Sequence, residues 1–121
     1  MTELTAEWGD WLGEFEWTHA TTLTFRRPHT VEAARRELQR HLRDLAHRAH
    51  SKVACFWAME RTHQGHVHIH ALVDVPLSDA EVEQSWQKGR AKVERYDPDR
   101  GWRHYITKEI GDSAVAYDIS R

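Results

Sequence analysis

A chain of 121 residues suits one compact domain with one core and excludes a catalytic domain joined to a motor domain. Its 40% hydrophobic and 30% charged residues give a globular balance that excludes a disordered tail. The net charge of −2 excludes a uniformly basic nucleic-acid binder, and the single Cys55 excludes an internal disulfide or a thiolate zinc cluster.

In chain order, Trp8, Trp11, Leu12 and Phe15 form a helical stripe after a Thr5 cap, which predicts a short leading helix within an N-terminal extension over residues 1–16. "WTHATTLTF", residues 17–25, is β-branched and aromatic and predicts the first strand, with one small, polar face. Thr30 can cap a long helix whose Val31, Ala34, Leu38, Leu42, Leu45 and Ala49 lie on one side, opposite most of its arginines. "VACFWAME", residues 53–60, and "HVHIHALVDV", residues 66–75, predict a hairpin closed by "THQG". Ser78 and Glu81 make a capping box for a second helix running to about Lys88. A short strand near "AKVERY" follows, then a helix in "GWRHYITKEIG" stopped by Gly111, and a last strand in "SAVAYDI".

This order predicts a single domain over residues 1–121 with an α+β, ferredoxin-like, split-βαβ layer fold: a four- or five-stranded, mostly antiparallel sheet with helices on one face. Polar residues are expected on the other face. No apolar run is long enough to span a bilayer, and the acidic N-terminus lacks the basic start of a secretory signal, so no membrane contact is expected and the protein is expected to be cytoplasmic, or nuclear if it comes from a eukaryotic virus. Charge is unevenly placed: residues 1–25 hold Glu3, Glu7, Asp10, Glu14 and Glu16 without a Lys or Arg, while residues 26–52 carry a run of arginines. That basic segment can face phosphates or form a solvated helix face with ordinary ion pairs.

In "GHVHIHALV", side-chain alternation puts His66, His68 and His70 on one side of a strand and Val67, Ile69 and Val73 on the other. The apolar set belongs to the core, so the histidines point away from it. Across the hairpin, Glu60 falls on the histidine side. Two imidazoles and a carboxylate on a rigid sheet suit a divalent ion with open positions for water or a phosphate oxygen. Alternation alone does not decide which two histidines take part.

Three segments in order resemble the HUH endonucleases, in particular the replication initiators that nick and rejoin single-stranded DNA in rolling-circle replication. "TLTF", residues 22–25, is similar to the first motif; "HIHALV", residues 68–73, to the His-hydrophobic-His motif; and "YITKE", residues 105–109, to the motif that holds a catalytic tyrosine followed three residues on by lysine. The resemblance spans roughly residues 17–112. It implies Tyr105 as nucleophile with Lys108 beside it, and His68, His70 and Glu60 as ligands of Mn²⁺ or Mg²⁺. It also implies Thr22, Thr24, Arg26 and Arg27 on the DNA-binding side, and as partner a single-stranded DNA, expected to be an origin hairpin.

Other readings remain open at this level. A frame using His66 and His68 resembles the single-tyrosine transposases of insertion sequences. A non-catalytic module could bind single-stranded nucleic acid on the sheet, with Phe56 stacking a base. Two histidines and a carboxylate also suit non-haem iron in a barrel oxygenase, against which the two amphipathic helices argue.

Overall fold

Val, Thr, Ile and aromatic residues prefer the pleated backbone, and their runs in this sequence become its strands. The computed structural model describes residues 16–62, 64–101 and 114–120. The leading helix expected over residues 8–15, and the helix expected around Tyr105 and Lys108, lie outside these residues. The elements are β1 (His19–Leu23), α1 (Val31–Ala49), β2 (Ala54–Arg61), β3 (Val67–Asp74), α2 (Asp79–Ser85), β4 (Ala91–Arg95) and β5 (Ala114–Ser120), with one 3₁₀ turn at Pro98–Arg100. The sheet order is β4-β1-β3-β2-β5, and every neighbouring pair is antiparallel. β3 lies between β1 and β2, which is the split-βαβ arrangement, and β5 extends the sheet beyond β2.

Both helices start where the sequence provides a cap. Thr30 accepts a hydrogen bond from the Ala33 amide, and Ser78 and Glu81 form a complete capping box. α1 lays Ala34, Leu38 and Leu45 against Leu23, Cys55, Trp57, Met59, Ile69 and Val73 in one continuous core, which Val82 and Trp86 join from the second helical segment. Cys55 is fully buried there, and burial pushes its thiol pKa far up.

α2 ends at Ser85 instead of near Lys88. Trp86 is extended at φ −85° and ψ 115°, and its indole N–H donates to the Thr24 carbonyl at 2.9 Å. The chain then pairs with the end of β1: the Arg26 amide donates to the Lys88 carbonyl, and the Thr24 amide to the Arg90 carbonyl. Three residues that would continue the helix are instead the approach to β4. Gly89 fits because a Cβ there would collide with the Thr24 carbonyl.

The expectation of a polar outer face needs correction. Ala20, Phe56, Ala58 and Leu72 lie on the side away from the helices, yet each is buried. Polar groups occupy only one end of that face. Among the described residues no helix is long and apolar enough to cross a membrane.

Candidate metal and nucleic-acid face

The register resolves the outer face into rows running across the strands. One row reads Glu94, Ala20, Leu72, Phe56, and its three apolar members are sealed from solvent. The next reads Lys92, Thr22, His70, Ala58, with Tyr117 as the register partner of Ala58 on β5. One step further along β3 and β2, His68 lies directly opposite Glu60. Two rows of the same face therefore differ sharply: one is apolar and buried, while the other begins the polar end.

At that end, His70 Nε2 and Glu60 Oε1 are 2.7 Å apart, with side-chain exposures of 9% and 24%. A bond this short, in a setting shielded on one side by the apolar row, is a charge-assisted one if the imidazole carries a proton on both nitrogens. His68 is only partly buried. His66 falls outside β3, in the connection: its amide donates to Thr62 Oγ1 at 3.2 Å and its carbonyl accepts from the Thr62 amide. Gly65, at φ +80°, provides the left-handed residue that closes this turn. The structure therefore brings together Glu60, His68 and His70 on adjacent strands, with His66 beyond the ladder.

A bulge adds to the local design. The β2–β5 pairing shifts between Met59 and Glu60, so the ladder is interrupted at the carboxylate. Bulges bend a strand and re-aim its side chains, and they recur beside functional sites. The donor chemistry fits a divalent ion, two imidazoles and a carboxylate being the borderline set that accepts Mn²⁺ or Mg²⁺ with room for other oxygen ligands. As the side chains stand, no three His, Cys, Asp or Glu groups among the described residues converge on one point. Glu60 and His70 are bonded to each other, and a cation would have to replace that bond.

Of the residues expected to contact DNA, Thr22 is half-buried between His70 and Lys92 in the row. The Thr24 hydroxyl is engaged with β4, donating to the Arg90 carbonyl and accepting from the Arg90 amide. Arg26 and Arg27 are exposed in the loop after β1, where the Arg26 guanidinium donates to the Gln87 carbonyl. Tyr105 and Lys108 lie outside the described residues. Phe56 is fully buried and does not present its ring for stacking. Lys92 is the residue of this row that the sequence reading missed. Alternation in "AKVERY" separates Lys92 and Glu94 from Ala91 and Val93, but nothing local says that β4 pairs with β1.

Two other histidines are buried for structural reasons. His19 bonds Thr18 Oγ1 through Nδ1 at 2.7 Å, and its Nε2 lies 3.0 Å from Asp79 Oδ1, near enough for charge coupling though not aligned as a hydrogen bond. Burial, helped by Arg95, holds its pKa below the ordinary value against the pull of Asp79. His41 joins the two helices through a 2.9 Å bond from Nδ1 to Ser85 Oγ, and burial lowers its pKa to about 4.

The family model of the replication-associated protein ORF2 matches residues 18–114, most of the chain. The chain belongs to this family. Comparison with curated proteins and with solved structures gives no match. As a member of the replication-associated family, the protein has a role in replication, and the matched span covers β1 to the start of β5. Glu60, His68 and His70 all fall inside it, as do the tyrosine and lysine of "YITKE".

Proposed function

We propose that the protein is a metal-dependent, site-specific endonuclease and strand transferase of single-stranded DNA, which initiates rolling-circle replication by nicking an origin hairpin. The observation that carries this reading is the Glu60, His68 and His70 group on one end of the sheet face, within a chain of the replication-associated family. A divalent ion held by these three residues would withdraw charge from the scissile phosphate.

The remaining chemistry belongs to the chain's own residues. A tyrosine hydroxyl has a pKa near ~10, so only about a thousandth is ionised at neutral pH and the group needs an activated phosphate. Tyr105 oxygen attacks phosphorus, the bond to the 3′ oxygen breaks, and the leaving 3′-hydroxyl takes up the proton. Lys108, one helical turn on in the sequence, holds a phosphate oxygen beside the nucleophile. The 5′-phosphotyrosine keeps one phosphodiester in place of another, so a 3′-hydroxyl reverses the step without ATP. The His66 and His68 frame of a transposase is less well supported, because His66 sits in the turn with its amide engaged by Thr62.

The test is an oligonucleotide labelled on the 3′ side of the nick, incubated with the protein and Mn²⁺. Label should remain on the protein in SDS, on the Tyr105 peptide, and Tyr105→Phe should abolish it while keeping DNA binding. Cleavage with no protein-bound label, or an adduct that persists in Tyr105→Phe, contradicts the assignment.

A further inference from the structure

β4 is an edge strand, and the chain that leads into it carries cations at alternating positions: Lys88, Arg90 and Lys92. The Arg26 amide is bonded to the Lys88 carbonyl, which keeps another exposed arginine at the same edge. Within this group Lys92 has a specific place. It is the register partner of Thr22, which is the register partner of His70. Two strand spacings separate the backbones of Lys92 and His70, about 10 Å. The Lys92 side chain is 70% exposed, and its partner is Glu94 at 3.3 Å. An ion pair so exposed contributes little and exchanges readily for another anion.

The neighbouring row is apolar and buried from Ala20 to Phe56, so a polyanion on this face is confined to the row that Lys92 opens. Resting on the reading that this face takes single-stranded DNA, we infer that Lys92 is a further substrate-binding residue. It holds a backbone phosphate beside the one at His70 and Glu60, so that the DNA crosses the sheet from β4 over Thr22 toward β2. Charge on an edge strand also guards against edge-to-edge pairing, a role that needs no ligand. The experiment has to separate the two.

Single methylphosphonate substitutions, which remove one phosphate charge at a time, are scanned through a bound oligonucleotide. Wild-type protein should lose affinity at adjacent positions. Lys92→Ala should lose its sensitivity at one of these while keeping the others, and the slope of log K against log salt should shrink by about 0.7, the value of one neutralised phosphate. Lys92→Arg should restore both readouts, and Lys52→Ala, an exposed lysine on the connection from α1 to β2, should change neither. A wild-type scan and slope in Lys92→Ala overturn the inference and leave the proposed function standing. If the wild-type protein does not bind single-stranded DNA, that function falls and this inference falls with it.

Discussion

Glu60 Oε1 bonds His70 Nε2 at 2.7 Å, although the residue directly across the ladder from Glu60 is His68. One carboxylate is thus neighbour to both imidazoles, to one through its side chain and to the other through the strand register. The predicted consequence is a shared dependence. In calorimetry with Mn²⁺, His68→Ala or His70→Ala should abolish strong binding, Glu60→Gln should weaken it, and His66→Ala should retain most of it. Collapse on His66→Ala alone would shift the ion to the frame that begins in the turn.

This face was partly legible in the sequence because its physics is local. The pleat fixes a period of two, so "HVHIHALV" had to divide its histidines from Val67 and Ile69, and a tight turn had to bring Glu60 alongside. What the sequence did not reveal depends on partners far along the chain. Ala20, Phe56 and Leu72 come from three strands, and only their shared register makes a buried row. His41 falls between Leu38 and Leu45 on the apolar side of α1, but its partner Ser85 is supplied by another helix. The same holds for the end of α2, which is set by the Thr24 carbonyl and not by any breaker before Gly89.

Gly89→Ala tests how β4 is attached. A Cβ at this position would meet the Thr24 carbonyl oxygen and carbon and the Phe25 Cα, all backbone atoms that no rotamer change can move. The expected cost is about 1–3 kcal/mol, typical of forced overpacking. Urea denaturation measures it, and amide hydrogen exchange should report faster opening of β4 than of β3. Unchanged stability would mean that the β1–β4 edge adjusts freely.

His41 predicts a pH dependence of stability with a defined sign. Its pKa falls from 6.5 to about 4 on folding because burial disfavours the imidazolium. The unfolded chain therefore binds this proton more readily, and the contribution is fully present above the unfolded value and lost as pH falls from about 6.5 toward about 4. Between pH 7 and pH 5 the loss should be on the order of 2 kcal/mol. His19, also lowered by burial, acts in the same direction and leaves a residual slope. Urea unfolding at the two pH values should show His41→Gln with a smaller difference than the wild type; an equal difference would contradict the assignment.

Binding to DNA should be strongly salt-dependent and carried by one side of the molecule. A chain of net charge −2 gains nothing from its overall charge, so attraction has to come from cations near the occupied face. For Z phosphates neutralised on a single strand, log K should fall against log salt with a slope of roughly −0.7Z. Arg36 and Arg43 are exposed on α1, which packs against the sheet face opposite to Glu60 and His70. Removing their charge in the double variant Arg36→Gln, Arg43→Gln should therefore leave the slope nearly unchanged. Arg26 and Arg27 follow the end of β1, and Arg26→Gln or Arg27→Gln should flatten the slope by roughly 0.7 for each phosphate that is no longer neutralised. Fluorescence anisotropy between 50 and 200 mM salt measures both. A slope near zero in the wild type would remove the nucleic-acid assignment, and a large loss in the α1 variant with none in the β1 variants would put the DNA on the helical layer.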